Sequence, residues 1–259
     1  MDATPTNPFG IAGYDSSTYG DSFVDVYDEW YSDLDDADFV EGLAAALPQE
    51  PAHILELGVG TGRLVSQFLA HRSHTRDSIV GVDSSLAMLE AARARSFPEH
   101  VSLQQCDFST TLPEGQFDLI FVGYNTLFNL PDEAALLTCL RLVADRLTPL
   151  GSFAIDVVSP LADQPGDHVA IRTMATNEVV LDISTHDAES QRIIGQFVQF
   201  TDGATARLRP WSVRYFTPAQ LDSLAGEAGL RLVSRHSDGR GSEFTPDSYR
   251  HVSRYSRAI

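Results

Sequence analysis

Short apolar runs alternate with segments of helical hydrophobic spacing from about residue 52 to residue 157. The runs "HILELG" and "SIVGVD" each precede an amphipathic segment, "RLVSQFLAHR" and "SLAMLEAARAR" respectively. Further apolar runs follow at "VSLQQCD", "FDLIFVGY" and "GSFAIDVV", and "PDEAALLTCLRLVADRL" predicts a long helix with Pro131 in its first turn. Strands that alternate with helices predict right-handed crossovers and a parallel sheet.

The pattern changes after Pro160, where β-like runs follow one another with no helical segment between them. The runs "HVAIRTMA", "EVVLDISTHD", "QRIIGQFVQFT" and "TARLRPWSVRYF" are joined by short polar connections, which is typical of antiparallel strands. Helical spacing returns at "TPAQLDSLAGEAGL", where Thr217 and Gln220 form a capping box and Gly229 marks a stop. Two last runs, "RLVSRHS" and "RHVSRYS", are predicted to be strands.

The N-terminal region is predicted to be helical cover, because "SFVDVYDEWYSDL" and "ADFVEGLAAAL" carry apolar residues at helical spacing. We interpret the 259 residues as a single α/β domain in four parts. These are an N-terminal helical lid (1–45), a ligand-binding core (46–160), an inserted antiparallel sheet (161–216), and a C-terminal helix with the last two strands (217–259).

Charge excludes one class of partner. The formal net charge of −18 argues against nucleic acid, because a phosphate backbone requires clustered positive charge. The charge is also uneven, since residues 1–62 contain 13 acidic residues and no arginine. This acidic segment is interpreted either as a solvated surface that keeps the protein soluble or as a rim beside a cationic ligand.

The sequence also bears on location. No apolar stretch reaches the roughly 18 residues that a membrane span requires, and the N-terminus lacks the basic and apolar regions of a secretory signal. The chain has two cysteines, Cys106 and Cys139, which fits a reducing compartment better than a disulfide framework. We therefore expect a cytoplasmic protein without membrane association, and we identify no metal site.

Three glycines follow the first predicted strand in "ILELGVGTGRL", residues 54–64. Gly58, Gly60 and Gly62 lie on a strand-to-helix turn, where missing side chains allow a backbone to approach a ligand closely. In open parallel sheets ligands bind outside the carboxyl ends of the strands, so a nucleotide-like ligand is expected here. The spacing is G-x-G-x-G, which differs from the G-x-G-x-x-G of dinucleotide enzymes, and no P-loop motif is present.

Two carboxylates follow the next two predicted strands. Asp83 ends "SIVGVD", where a carboxylate can accept hydrogen bonds from a ribose diol. Asp107 ends "SLQQCD", where the edge of an adenine would lie. Three strand ends therefore carry glycines, a ribose acceptor and a base contact in order.

At this point the chain resembles the class I S-adenosylmethionine-dependent methyltransferases. The resemblance rests on "ELGVGTG", "VGVDSSLAML", "QQCDF" and "FDLIFVGYNTLFNL", which together span residues 54–130. It implies a Rossmann-like, seven-stranded, mostly parallel sheet whose last strand is antiparallel. It also implies that S-adenosylmethionine is the cofactor and lies across residues 56–63, 83–88 and 106–108.

The resemblance implies a role for each matching residue. Glu56 would lie near the methionine ammonium of the cofactor, and the three glycines would form the turn. Asp83 would bind the ribose hydroxyls, with Ser84 beside it, and Asp107 would accept from the adenine amino group. Met88 would cover the adenine and Phe108 would pack nearby, although both are also explained as ordinary core residues.

A narrower resemblance is to glycine N-methyltransferase and the sugar N,N-dimethyltransferases of macrolide biosynthesis. It rests on "YGDSFVDVYDEWY", "YNTLFNL" and an antiparallel sheet inserted after the fifth strand. Tyr19 and Tyr27 match paired tyrosines that approach cofactor and acceptor in that group. The alternative is that Tyr27 and Tyr31 form only the apolar stripe of an amphipathic helix. Asn129 stands where those relatives often have histidine, and an amide orients a substrate but cannot deprotonate it. Tyr27, Tyr124 and Asn129 are therefore the candidate catalytic residues.

These observations predict a methyltransferase that acts on a small-molecule metabolite at nitrogen or oxygen. The acceptor is expected between the N-terminal tyrosines, the "YNTLFNL" loop and the inserted sheet around Trp211. One alternative is C- or O-methylation of a phosphorylated or carboxylated acceptor, motivated by Arg207, Arg209 and Arg214. Others are a non-catalytic module that binds S-adenosylmethionine and a nicotinamide oxidoreductase. The edge of the inserted sheet could pair with a second copy in a homodimer.

Overall fold

The computed structural model describes residues 7–34, 36–48, 51–72, 76–159 and 165–258. In chain order the strands are β1 (His53–Leu57), β2 (Ser78–Asp83), β3 (Val101–Gln105), β4 (Phe117–Val122), β5 (Leu147–Val158), β6 (Gly166–Met174), β7 (Glu178–Asp187), β8 (Arg192–Thr201), β9 (Arg207–Arg214), β10 (Leu230–His236) and β11 (Arg250–Arg257). The helices are α1 (Thr18–Phe23), α2 (Tyr27–Trp30), α3 (Ala37–Ala46), α4 (Arg63–His71), α5 (Leu86–Ala94), α6 (Glu133–Arg146) and α7 (Pro218–Glu227). A 3₁₀ turn covers Thr126–Asn129.

The central sheet has seven strands in the order β10-β11-β5-β4-β1-β2-β3. Strands β1 to β5 pair in parallel, and β11 pairs antiparallel with both β5 and β10. Helices cover both faces, so β4 is apolar along nearly its whole length rather than alternating. One face packs on α6 and α7, and the other on α3 and α4. The predicted Rossmann-like sheet with an antiparallel last strand is confirmed.

The inserted segment forms a separate antiparallel sheet in the order β6-β7-β8-β9. Each of the four consecutive β-like runs between Pro160 and α7 corresponds to one strand of this sheet. One face of this sheet meets the N-terminal segment, where Phe23 and Val26 pack with Val180 and Phe197. The inserted sheet and the N-terminal segment therefore share a small apolar core, apart from the two cores of the central sheet.

The N-terminal cover differs from a single long helix. The run "SFVDVYDEWYSDL" is divided between α1 and α2, because the chain turns after Phe23 to bury that ring and Val26 against the inserted sheet. Helix α3 packs with α4 in the core of the central sheet. Of the predicted part boundaries, 45/46 and 216/217 fall in the described residues, whereas 160/161 lies outside them.

Two predicted helix starts can be compared with the structure. The capping box at α7 is present, with Thr217 accepting from the Gln220 backbone and Gln220 accepting from the Thr217 backbone. The prediction that Pro131 lies in the first turn of α6 is wrong. Asp132 caps α6 by accepting from the Ala135 N–H at 2.9 Å, so Pro131 precedes the cap. A carboxylate cap satisfies an orphan backbone donor, which proline cannot do.

The acidic N-terminal segment is held by arginines from later in the chain. Asp25 pairs with Arg207 at 2.6 Å and with Arg209 at 2.7 Å, and Asp28 pairs with Arg95 at 2.5 Å. The segment thus docks on the inserted sheet through Asp25 and on the central domain through Asp28. The uneven charge of the sequence therefore has a structural use that neither interpretation from sequence included.

Within the described residues, no helix is long and apolar enough to cross a membrane.

Candidate active site

A cleft of about 730 Å³ opens at the carboxyl ends of the parallel strands and is roofed by the N-terminal segment. Its lining includes most of the residues that the sequence predicted for the cofactor and the reaction: Tyr19, Tyr27, Gly58, Gly60, Asp83, Ser84, Met88, Asp107, Phe108 and Asn129. The fold therefore brings residues from four strand ends and the lid to one place.

The three glycines of the turn all have left-handed backbone angles, with φ of 68°, 56° and 80° at Gly58, Gly60 and Gly62. They differ in what a side chain would meet. A Cβ at Gly58 would collide with Thr126, and one at Gly62 would lie 2.7 Å from the Phe97 ring. A Cβ at Gly60 would meet nothing within 4 Å, so the open space beside the turn belongs to the cleft.

Asp83 is fixed at the end of β2 by two backbone donors. Its Oδ2 accepts from the Gly60 N–H at 2.8 Å and its Oδ1 from the Ser85 N–H at 2.9 Å. Burial raises the pKa of Asp83, and the Ser85 and Gly60 N–H groups oppose that effect. A carboxylate has about four acceptor positions, so this one can still accept from two hydroxyls of a ligand.

The base end of the cleft is formed by Asp107, Met88 and Phe108. Asp107 Oδ1 accepts from the backbone N–H and the hydroxyl of Ser109, at 2.9 and 2.5 Å. The other oxygen receives no hydrogen bond from the described part of the chain. Met88 is 2% exposed and Phe108 is half-buried, and both belong to apolar clusters. The sequence suggested either adenine contact or ordinary core packing for Met88 and Phe108. These two interpretations are compatible, because both residues are core residues that also line the cleft.

A smaller cavity of about 270 Å³ continues beneath the glycine turn and is bounded by Glu56 and Arg63. Glu56 is 1% exposed, and its Oε2 receives no hydrogen bond within the described residues. Burial, followed by the charge of Asp83, raises the pKa of Glu56 well above its ordinary value. Arg63 forms an ion pair with Asp36 and also interacts with the Tyr27 hydroxyl. A carboxyl group and a guanidinium that line one cavity fit the ammonium and carboxylate of an amino-acid group.

A cluster of tyrosines separates this cavity from the inserted sheet. The Tyr19 and Tyr31 hydroxyls are 3.0 Å apart, and the Tyr31 ring lies 4.8 Å from that of Tyr27 and 5.7 Å from that of Tyr124. Burial raises the pKa of Tyr27 to about 12 and also raises that of Tyr124. These hydroxyls are therefore neutral at physiological pH and act as hydrogen-bond donors rather than as bases.

A second cavity, of about 790 Å³, lies between the tyrosine cluster and the inserted sheet. Its lining is Tyr19, Tyr27, Tyr31, Tyr124, Asn125, Thr126, Asn129, Asp182, Phe197, Trp211 and Val213. Four of these also line the first cleft: Tyr19, Tyr27, Thr126 and Asn129. Asn125 is engaged structurally, because its Oδ1 accepts from the Val158 N–H at 2.7 Å. This cavity lies where the sequence predicted the acceptor.

The sequence analysis missed Arg63 and Asp182. Arg63 follows the last glycine directly and begins α4, so its position beside the turn was a usable signal. Asp182 lies in an apolar-rich strand of the inserted sheet, and whether it faces a cavity or solvent depends on how that sheet packs. No local pattern could have identified it.

The residues present fit S-adenosylmethionine. The unpartnered Glu56 oxygen and Arg63 match the amino-acid end of the cofactor. The open space beside Gly60 lets the cofactor approach the backbone of the turn closely. Asp83 can still accept hydrogen bonds from the ribose hydroxyls. Among the described residues, no group of three or more histidine, cysteine or acidic side chains is arranged to hold a metal ion.

Comparison with known proteins agrees with this geometry. A family model described as a methyltransferase domain matches residues 54–151. The CcbJ methyltransferase from Streptomyces caelestis is 32% identical, with a TM-score of 0.84 over 95% of this chain and 100% of that one. The sugar N-methyltransferase KedS8 from Streptoalloteichus is 18% identical, with a TM-score of 0.68 over 96% and 99% of the chains, which shows the fold alone.

Curated relatives match over a shorter region. A trans-aconitate 2-methyltransferase from Deinococcus radiodurans is 36% identical over 116 residues, which is 44% of this chain and 42% of that protein. The chain spans about half the length of the curated relatives that it matches. Because the CcbJ methyltransferase is aligned over its full length and the strand-end residues for the cofactor are in place, this chain belongs to the class I S-adenosylmethionine-dependent methyltransferases.

Proposed function

We propose that this protein transfers the methyl group of S-adenosylmethionine to a nitrogen or oxygen atom of a small molecule held in the second cavity. The observation that carries the proposal is the shared wall of the two cavities. Tyr19, Tyr27, Thr126 and Asn129 line both, so ligands in the two spaces would meet at these residues. A wall common to donor and acceptor sites is what a direct transfer requires.

The first cleft and the smaller cavity that adjoins it have proposed roles in holding the cofactor. Glu56 accepts from its ammonium and Arg63 pairs with its carboxylate. Asp83 binds the ribose hydroxyls, Ser84 lies beside them, and Asp107 accepts from the adenine amino group. Met88 and Phe108 pack against the base. When bound, S-adenosylmethionine supplies a methyl group that is already activated by its attachment to a sulfonium.

The protein's own contribution to the reaction is mainly positioning. The lid excludes water, since α1 and the residues before it roof the cleft. The Tyr27 and Tyr124 hydroxyls are neutral donors, and the amide of Asn129 orients the acceptor without removing a proton from it. None of these three groups removes the acceptor proton, which is released to solvent with the product. Holding the two reactants in line can supply several kcal/mol of the barrier reduction, roughly 7–11 in the best-aligned cases.

A carboxylated acceptor is the second candidate, because several curated relatives are named trans-aconitate 2-methyltransferase. The arginines that suggested an anion site from sequence do not form one in the structure. Arg207 and Arg209 pair with Asp25, and Arg214 lies 3.7 Å from Glu133. None of the residues that line the second cavity is basic, and one of them, Asp182, is acidic. This candidate is therefore less well supported than an uncharged or cationic acceptor.

The test is formation of S-adenosylhomocysteine from S-adenosylmethionine with a panel of amines, alcohols and carboxylic acids. We expect turnover with at least one amine or alcohol. Product formed only from carboxylic acids would favour the second candidate. Tight binding of S-adenosylmethionine without product from any member would favour a non-catalytic module.

Gly60→Val is expected to abolish S-adenosylmethionine binding while circular dichroism shows an intact fold. The valine side chain would enter the open space that the cofactor needs. Gly203→Val is the matched control. Gly203 also has a positive φ, 73°, and open space around its Cβ, but it lies on the exposed β8–β9 turn. Calorimetric titration should show binding for the control alone, and equal affinities in both variants would contradict the assignment.

Tyr27→Phe is expected to lower turnover about tenfold, because Tyr27 lines both cavities and a hydrogen bond from its hydroxyl to a charged group of a bound ligand would contribute about 1.5–3 kcal/mol. The melting temperature should change little, since the ring remains. Tyr249→Phe is the control, because Tyr249 is 66% exposed. Unchanged kinetics in Tyr27→Phe would mean that the lid tyrosine is only a packing residue.

We also propose a cytoplasmic location and a homodimer. The first is supported by Cys106 and Cys139, which are both free thiols. The second is supported by β6, which lies at one edge of the inserted sheet and can pair with a second copy. Sedimentation velocity at micromolar concentration tests the dimer, and a monomer there would contradict it.

A further inference from the structure

The second cavity contains one acidic side chain among aromatic rings. Asp182 is on β7, and its strand neighbours across the sheet are Ala170 and Phe197. Six of the other lining residues are aromatic: Tyr19, Tyr27, Tyr31, Tyr124, Phe197 and Trp211. Alternation along β7 places Val180 on the same face as Asp182, and Val180 is 0% exposed in the apolar core. An apolar residue would therefore have suited this position if packing were its only purpose.

Asp182 is not neutralised by the protein. Its Oδ1 is shielded from solvent and receives no hydrogen bond within the described residues, which also provide no ion pair to it. The Trp211 indole N–H approaches the carboxylate without reaching hydrogen-bond geometry and has no other acceptor. Burial raises the pKa of Asp182, while Arg172 and the Trp211 N–H oppose that effect. Buried polar groups are usually satisfied, so two unsatisfied groups at one cavity indicate a ligand that satisfies them.

The neighbouring arginines are engaged with other groups. The Arg172 guanidinium lies 4.6 Å from the centre of the Trp30 ring and 5.3 Å from that of Phe197, and it donates to the Trp30 carbonyl at 2.8 Å. It therefore acts chiefly as a clamp between β6 and the lid. Arg209, on the same side of the sheet, is paired with Asp25. The wall that faces the cavity thus combines one unpaired carboxylate with the negative faces of aromatic rings.

Rings and a carboxylate attract the same kind of ligand. The face of an aromatic ring attracts cations, and the attraction grows when the cation is removed from water. An ammonium could interact with the rings and also donate to the Asp182 carboxylate, whereas an anion would be repelled by both. The cavity of about 790 Å³ can hold a cyclic organic body attached to such an ammonium.

Resting on the function proposed above, we infer that Asp182 is the acceptor-binding residue and that it selects an acceptor carrying a cationic amino group on a cyclic, largely apolar body. The carboxylate accepts a hydrogen bond from the ammonium, the rings of Trp211 and the tyrosines enclose it, and the Trp211 N–H remains available for a hydroxyl of the same ligand. This gives the inserted sheet a role in choosing the substrate.

The test uses Asp182→Asn, which removes the charge and preserves the shape. Binding is measured by ligand-observed NMR on protein saturated with S-adenosylhomocysteine. The probes are matched in size: cyclohexylamine, cyclohexanol, cyclohexanecarboxylate and their phenyl-substituted counterparts. We expect amines to be the preferred probes for the unmodified protein and the variant to bind them at least about tenfold more weakly, as loss of a charged hydrogen bond predicts.

Stability separates this role from a structural one. Because Asp182 lacks a partner for Oδ1, Asp182→Asn should leave the melting temperature unchanged or raise it, whereas a structural carboxylate would lower it when removed. Asp202→Asn is the matched control. It removes the same charge from the same sheet, but Asp202 is exposed on the β8–β9 turn, so amine binding should be unaffected.

Three outcomes would overturn the inference: a preference for alcohols or carboxylates, no binding of any amine, or equal amine affinity in Asp182→Asn. Affinity for S-adenosylhomocysteine, measured on the same samples, keeps the two proposals apart. If the unmodified protein does not bind it, the proposed function fails. If it binds and Asp182 makes no difference, only the inference about the acceptor fails.

Discussion

Asp83→Ala is expected to weaken S-adenosylmethionine binding by at least about a hundredfold. Two hydrogen bonds from the ribose to a carboxylate contribute about 1.5–3 kcal/mol each, and about 1.4 kcal/mol corresponds to a factor of ten. The structure adds a second reason. Asp83 also accepts from the Gly60 and Ser85 N–H groups, so the variant loosens the glycine turn as well. Isothermal titration calorimetry measures the change.

Glu90→Ala is the control for that experiment. Glu90 lies on α5, the helix that follows Asp83, and it is exposed. Glu90→Ala changes the net charge by the same amount as Asp83→Ala, and Glu90 does not line the cleft. An unchanged dissociation constant in Asp83→Ala would exclude the ribose assignment. If circular dichroism showed a loss of helix in the variant, Asp83→Asn would replace it, because the amide oxygen can keep one of the backbone hydrogen bonds.

Arg209→Met is expected to lower the free energy of unfolding by about 3 kcal/mol, as removal of one partner of a buried ion pair does. Arg209 is 1% exposed, and it donates to Asp25 at 2.7 and 3.0 Å, to Gln199 at 2.7 Å and to the Ser22 carbonyl. The methionine would fill much of the space but remove the donors to Gln199 and the Ser22 carbonyl, and it would leave Arg207 as the ion-pair partner of Asp25. Chemical denaturation measures the change.

The neighbouring arginine is a close control. Arg207 pairs with the same Asp25 at 2.6 Å, but its side chain is 51% exposed. Arg207→Met should therefore cost less than about 1 kcal/mol, the usual range for a surface ion pair. Because Arg209 docks the lid, Arg209→Met should also weaken S-adenosylmethionine binding, whereas Arg207→Met should not. Equal losses of stability in the two variants would mean that burial of Arg209 does not anchor the lid.

The cofactor half of the site could be predicted from the sequence for a topological reason. The carboxyl ends of parallel strands meet at one edge of the sheet, so residues that end successive strands converge whatever the packing details are. Gly60 and Asp83 are 23 positions apart in sequence, but the single β1-α4-β2 crossover brings them together in space. The Gly60 N–H donates to the Asp83 carboxylate at 2.8 Å. The order of the strands and the antiparallel last strand followed from the resemblance to a known family.

The acceptor half was only located in outline. The tyrosines, the loop at Tyr124 and Trp211 were expected to enclose it, and they line one cavity. The sequence offered the arginines of β9 only as an alternative anion site, and in the structure Arg207 and Arg209 pair with Asp25 of the lid. Strand alternation predicts that two residues share a face, as these do, but it does not tell what lies against that face.

By itself, then, the sequence determined the parallel sheet and the residues at its strand ends, because these depend on local periodicity and topology, while the cofactor followed from the resemblance to a known family. Only the tertiary structure decided what surrounds Arg63, Asp182 and Arg209. Arg209 and its partner Asp25 are 184 positions apart, and whether an arginine there binds a ligand or a lid depends on which surface docks against it. The unsatisfied carboxylate of Asp182 likewise exists only because the inserted sheet and the lid enclose it.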